Sequence, residues 1–314
     1  MLRSLGDTQM ISHKLSKDGL LILLFHGVVK ENNYQVRNYI RKHIEADFFH
    51  DLLVDLKSKG KCLSMDEIID IYNRGEEYPP NSFVITFDDG FENNYSVAAP
   101  ILEDLNLPAI FYITTDFIEN GTMSWTDKAE YTLEEVGDNV VNLILPWSGE
   151  KITIARAEDK IDLLKKMRSY IFADESRNPQ DIIDWLYAEL GFEIVKTTYD
   201  PLDKKLSWEQ VREINNHPLF VIGGHTHTHP IMSGLSAKDL DFEIDTSLRL
   251  LKEKSGVDNC HYAYPQGQTN HYSKTVIEAL KKRGITCCPT AIDGINTTQT
   301  GLFDLYRYMV DDLP

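Results

Sequence analysis

Phe83-Val84-Ile85-Thr86-Phe87-Asp88-Asp89-Gly90 starts as an apolar, β-rich run and stops in two adjacent carboxylates and a glycine. The first five residues suit a strand covered on both faces. The carboxylates gain nothing from packing, so they mark a strand end that meets water or a ligand. Neighbouring side chains on an extended backbone point to opposite faces, so Asp88 and Asp89 are expected to do different jobs. Gly90 permits the sharp turn that follows. Taken alone, Asp-Gly after a strand is also an ordinary turn.

A second run, Leu219-Phe220-Val221-Ile222-Gly223-Gly224, leads straight into His225-Thr226-His227-Thr228-His229-Pro230. His225 and His229 are four apart, which puts both rings on one side of a helical turn or tight loop, a usual metal-ligand spacing. His227 falls elsewhere and reads as an outer or solvent-facing histidine. Two imidazoles and one carboxylate from separate strand ends suit a catalytic divalent cation, zinc first, with open positions for water.

Leu20-Leu21-Ile22-Leu23-Leu24-Phe25 is a third apolar run, and His26 stands at its end. That position is analogous to those of Asp88-Asp89 and His225. His26 is therefore a candidate for proton chemistry, or a histidine that merely caps a strand. Ala109 to Thr114 forms a further apolar strand, and helical periodicity separates the runs (Phe48, Leu52, Leu53 and Leu56; Ser64 with Glu67 as a capping box). Strands alternating with helices predict a mainly parallel α/β sheet, whose strand C-terminal ends gather the site on one face.

The rhythm breaks between Ile118 and Lys205, where Ala157 to Tyr170 and Asp181 to Leu190 read as charged amphipathic helices. This stretch is expected to be a helical insertion, 118–205, that shapes or covers the site. Residues 1–18 form an extension and 19–314 the body. Trp125, near the start of the insertion, can stack on a sugar ring or anchor the insertion.

The chain has 314 residues and a formal net charge of −17, which argues against nucleic acid or an anionic membrane as partner. No apolar run approaches a membrane span, and the polar start shows no signal-peptide pattern, so a cytoplasmic protein is expected. Cys62, Cys260, Cys287 and Cys288 show no Cys-x-x-Cys spacing and read as reduced structural cysteines.

Thr86-Phe87-Asp88-Asp89-Gly90, His225-Thr226-x-x-His229 and Ala263-Tyr264-Pro265-x-Gly267, in that order, resemble the metal-dependent polysaccharide deacetylases of the NodB-homology type. The resemblance implies a distorted (β/α)7 barrel and removal of an acetyl group from an N-acetylated sugar or glycan, with Asp88 as general base and Asp89, His225 and His229 as metal ligands. It also implies an oxyanion held by the metal and a backbone N–H of the Tyr264-Pro265 strand end. The chain departs from the family twice. Ala263 stands where many members have an arginine that orients the base, and Arg307 is the candidate replacement. No histidine follows His271, so His26 is the candidate general acid. Other readings of the same scaffold are an amidase on a non-sugar C–N bond, an O-deacetylase, or an inactive carbohydrate-binding module.

Overall fold

The computed structural model describes residues 11–174, 177–193, 195, 198–258 and 261–311. Its main sheet is parallel throughout. The strands run in the order Tyr308–Met309, Leu20–Phe25, Ser82–Phe87, Ala109–Ile113, Phe220–Gly224, and Lys61–Cys62 pairs with the start of Ser82–Phe87. Helices lie between the strands, among them Ala46–Lys59, Met65–Arg74 and Ala237–Ser255. Met65–Arg74 starts where the sequence indicates: Ser64 and Glu67 close a capping box, and Gly75 ends the helix in the left-handed region.

Register decides which residues reach the site. Phe25 pairs with Phe87 and Phe87 with Phe111 across three strands. Their rings stack at 5.3 and 4.9 Å, and Phe49 meets Phe25 edge-on at 5.2 Å. Phe25 and Phe87 are the last residues of their strands, so His26 and Asp88 emerge side by side. Likewise Ile113 pairs with Gly224, and His225 follows. A slip of one residue would turn every one of these side chains to the wrong face.

Beyond Phe220–Gly224 the regular ladder gives way to single bridges, Gly224 with Tyr262 and His261 with Cys287. Backbone hydrogen bonds carry the ring onward from Cys288 to Leu302, Thr290 to Leu305 and Arg307 to Ile292, and Val310 returns to Leu24. The sequence pattern predicts strands over 261–267, 284–288 and 303–310 here. Pro265 and Pro289 donate no backbone hydrogen bond, and Gln266 and Gly267 both have positive φ, so the ladder cannot continue. Cys287 and Cys288 are buried in this part of the core, and Cys260 lies outside the described residues.

Segment 118–205 holds the helices Trp125–Glu135, Ala157–Phe172 and Pro179–Leu190 and an antiparallel hairpin, Val141–Ile144 with Lys151–Ile154. Its side chains, Leu133, Leu163, Met167 and Leu186 among them, form an apolar cluster separate from the two that cover the opposite faces of the main sheet. The first strand of the hairpin falls within Glu134 to Trp147, which reads in sequence as irregular or weakly β-like. Among the described residues no helix is long and apolar enough to cross a membrane.

Candidate metal centre and active site

Asp88 and Asp89 do not splay to opposite faces. Asp89 has a φ of 76° and Gly90 of 86°, so the chain turns back and both carboxylates line one cleft. The extended geometry expected from the sequence ends at Asp88. A Cβ on Gly90 would come within 3.1 Å of Ile113 and 3.2 Å of Ile118, and the positive φ adds strain for any other residue.

Arg307 grips Asp88 with two parallel bonds, Nη1 to Oδ1 at 2.7 Å and Nη2 to Oδ2 at 2.8 Å. The guanidinium is buried and also donates to the Thr290 carbonyl and the Thr86 hydroxyl, so its plane is fixed from three sides. Burial pushes the Asp88 carboxyl up, but Arg307 and then His225 outweigh it and hold it below its ordinary value. Asp88 is thus an ionised carboxylate of fixed orientation.

Asp89 faces the histidines. Its Oδ1 lies 3.3 Å from His229 Nε2 and 3.7 Å from His225 Nε2, and donor atoms of all three residues fall within 4.8 Å of one another. His225 Nδ1 sits 2.9 Å from the Ala263 carbonyl. A carbonyl can only accept, so Nδ1 carries the hydrogen and Nε2 keeps its lone pair for the centre. Asp89 Oδ1 is buried and accepts no hydrogen bond among the described residues. An orphaned carboxylate oxygen with two imidazole nitrogens aimed at it is costly unless a cation joins them, so the donor set fits a divalent metal, and two nitrogens with one oxygen suit zinc.

The spacing of the two histidines comes from a strained loop and not from a helical turn. Thr226 and His229 have φ of 63° and 66°, an outlying conformation for a β-branched residue such as threonine. Glu243, buried on the helix Ala237–Ser255, pins the loop by accepting the N–H groups of His227 and Thr228, both at 2.8 Å, and the Thr228 hydroxyl. The Tyr262 hydroxyl accepts the Thr226 N–H. His227 meets Thr115 Oγ1 at 3.0 Å and is not among the cleft-lining residues.

His26, Tyr264 and Trp125 line the same cleft of about 130 Å³, with Lys42, Arg168 and Gln266, which sequence reasoning missed. A larger hollow of about 480 Å³ beside Tyr72 and Phe303 contains no metal-ligand set among the described residues. Burial, against the pull of Asp89, lowers the His26 imidazole to about 4, so it is neutral at neutral pH. The backbone N–H expected from Tyr264 is not available for an oxyanion, because it donates to the Pro289 carbonyl as part of the ring closure. Two residues on, Gln266 has a φ of 58° and lines the cleft, and its N–H has no partner among the described residues. Pro265 is buried outside the cleft lining; its carbonyl accepts the Gly267 N–H and sets the turn that presents Gln266.

Lys42 Nζ reaches Asp127 Oδ1 at 2.9 Å and Asp89 Oδ2 at 3.5 Å. Asp127 comes from the helix Trp125–Glu135 and also meets Lys205 at 3.4 Å. Burial pushes the Asp89 carboxyl up, yet Lys42 and His229 hold it well below the usual range. The same helix organises the loop before Lys42, since Glu134 accepts the N–H groups of Gln35, Val36 and Arg37, and Glu130 accepts that of Asn38. No local pattern marks these residues, because their partners lie some 85 to 99 positions away.

The family model described as polysaccharide deacetylase matches residues 75–288, more than half of the chain. Among solved structures, the Streptococcus pyogenes deacetylase PplD in complex with acetate aligns with a TM-score of 0.61 at 18% identity, covering 94% of this chain and 93% of that one. IcaB from Ammonifex degensii aligns with 0.60 at 18%, over the same shares of the two chains. A de-N-acetylase from Aggregatibacter actinomycetemcomitans gives 0.60 at 18%, with 94% and 96% covered. At that identity the structures speak for the fold. No curated protein matches in sequence. With the family match spanning both the aspartate pair and the histidine loop, the chain belongs to the polysaccharide deacetylase family.

Proposed function

We propose that this protein is a metal-dependent N-deacetylase that hydrolyses the acetamido group of an N-acetylated sugar or short glycan during assembly of a surface polysaccharide. The observation that carries the reading is the convergence of Asp89, His225 and His229 beside an arginine-clamped Asp88 in one cleft. Asp89, His225 and His229 would hold the ion, zinc first. A divalent cation bound there polarises the acyl carbonyl and makes water more acidic.

Each remaining role follows from what a side chain can do. Asp88, ionised and held by Arg307, takes the proton of the attacking water. Arg307 touches no substrate and acts by fixing Asp88. The Gln266 N–H is a free donor for the oxygen that gains negative charge, since its left-handed backbone turns the amide out of the ring of strands. His26 protonates the departing amine. Its imidazole is neutral at rest, so the proton it passes to the amine is the one that Asp88 takes from the attacking water. The cleft is small and part of its wall comes from segment 118–205, which supports a substrate of one or two sugars over a long polymer.

Acetate release from a panel of N-acetyl sugars and short oligosaccharides by zinc-loaded protein tests the reading. Asp88→Asn is expected to lower kcat by roughly a thousandfold while zinc content stays at the wild-type level. Full activity in Asp88→Asn, or faster cleavage of O-acetyl than of N-acetyl sugars, would contradict it.

A further inference from the structure

Lys42 and Arg168 line the cleft and Arg307 lies behind Asp88; of these three cations two are committed. Arg307 spends both η nitrogens on Asp88, and Lys42 sits between Asp127 and Asp89. Arg168 makes neither an ion pair nor a hydrogen bond among the described residues, although it is half-buried and lines the same cleft as the metal-binding set. The ring of Phe172 lies 5.5 Å from the guanidinium carbon, and the Tyr39 hydroxyl is near enough to feel its charge. Glu130 feels its charge without reaching it as an ion pair, and that carboxylate accepts the Asn38 N–H. The chain has 49 acidic residues against 32 basic ones, so a guanidinium without a carboxylate partner stands out.

Its placement is not accidental drift of a surface side chain. Leu164, Met167 and Ile171 on the helix Ala157–Phe172 are buried in the apolar cluster of segment 118–205, and this anchoring fixes the helix face on which Arg168 meets the cleft. Phe172, at the end of that helix, meets the Trp125 indole edge-on at 6.1 Å. Trp125 is also half-buried in the cleft, and its indole N–H makes no hydrogen bond among the described residues. An aromatic face beside a bare guanidinium forms a paired subsite, with a surface for a sugar ring and a planar fork of N–H donors for two oxygens of an anion.

We infer that Arg168, beside Trp125, receives an anionic group carried by the acetamido sugar, with phosphate or carboxylate oxygens, so that the enzyme selects charged substrates over neutral ones. This rests on the deacetylase reading. It deepens that reading by assigning the substrate's charge to segment 118–205, while the strand ends supply the hydrolysis. The guanidinium in a partly desolvated cleft makes charge-assisted bonds that water competes with poorly. A neutral sugar leaves the same donors unpaired.

The test measures kcat/KM for acetate release by zinc-loaded enzyme on three probes: N-acetylglucosamine 1-phosphate, a methyl glycoside of N-acetylglucosamine, and an N-acetylated disaccharide containing a uronate. The charged probes are expected to exceed the neutral one by at least about tenfold, and the phosphate and uronate arms separate the two sources of charge. Arg168→Gln should cut the charged-to-neutral ratio by roughly tenfold to a hundredfold, and Arg168→Lys should restore part of it. A wild-type ratio near unity, or a ratio unchanged in Arg168→Gln, overturns the inference and leaves the deacetylase reading standing. If no probe releases acetate, the deacetylase reading fails instead. Calorimetric binding of N-acetylglucosamine 1-phosphate then decides the role of Arg168: roughly tenfold weaker binding to Arg168→Gln supports it, and equal binding overturns it.

Discussion

The two walls of the cleft are built on different principles. One wall is a row of strand ends: His26, Asp88, Asp89 and His225 follow directly from paired strands, and the aromatic row Phe25–Phe87–Phe111 sets their register. The other wall is tertiary, where Lys42, Trp125 and Arg168 arrive from a loop and two helices held by side-chain contacts far apart in sequence. A sheet fixes its ends through many cooperative backbone bonds, so that wall can hold reacting groups to a fraction of an ångström. The second wall depends on a few buried ion pairs and an apolar cluster of its own. It is therefore the wall on which selectivity can vary without loss of the reaction.

That contrast can be broken from either side. On the strand-end wall, Arg307→Lys replaces a planar fork by a single ammonium and frees Asp88 to rotate. The expected result is a fall in kcat of about a hundredfold with KM little changed. Steady-state kinetics on an N-acetyl sugar checks it, and a rise in KM alone would show that Arg307 binds substrate rather than orienting the base. On the other wall, Asp127→Asn leaves Lys42 and Lys205 buried beside a neutral amide. Stability should drop by about 3 kcal/mol in urea unfolding, with kcat lowered about tenfold or less, because the reacting groups stay on the sheet. A loss of kcat as large as that of Arg307→Lys would erase the distinction between the walls.

The mildest perturbation is Glu130→Gln. Burial, with Asp127 nearby, raises the Glu130 carboxyl from 4.5 to about 7. A raised value in the folded state means that its stabilising contribution is complete below about 4.5, the unfolded value, and is lost as the pH climbs through about 7. The amide can still accept the Asn38 N–H, so Glu130→Gln should remove this part of the pH dependence, making the variant the more stable protein at pH 8 with no such gain at pH 4. Thermal unfolding across that range reads the effect. A pH profile identical to wild type would mean that Glu130 is not the titrating group.

How much of this was legible without coordinates follows the same division. Strand Ser82–Phe87 and the residues that end it were readable because a short apolar run followed by Asp-Asp-Gly has few alternatives, and so was the histidine loop after Phe220–Gly224. Their local conformation was not readable. The left-handed φ of Asp89 brings both carboxylates into one cleft, and the left-handed Thr226 and His229 set the histidine spacing, yet none of these residues is a glycine that would announce it. Arg307 was readable only as a candidate, since nothing local tells a surface arginine from one 219 positions away from the carboxylate it grips. The Tyr264 N–H was misassigned because strand ends that curl into a ring consume their own amides, which a strand pattern does not reveal. Lys42, Asp127 and Arg168 carried no signal at all, because each owes its position to the packing of segment 118–205 on the ring of strands.

Hydrolysis at this cleft requires that Asp89, His225 and His229 share one divalent cation. Calorimetric titration of zinc into chelator-stripped protein, with Asp89→Asn run beside it, tests that claim directly. The prediction is one zinc per wild-type chain and affinity at least about a hundredfold weaker in the variant. A stripped wild-type protein that takes up no zinc, or an Asp89→Asn variant that binds it equally tightly, would contradict the account.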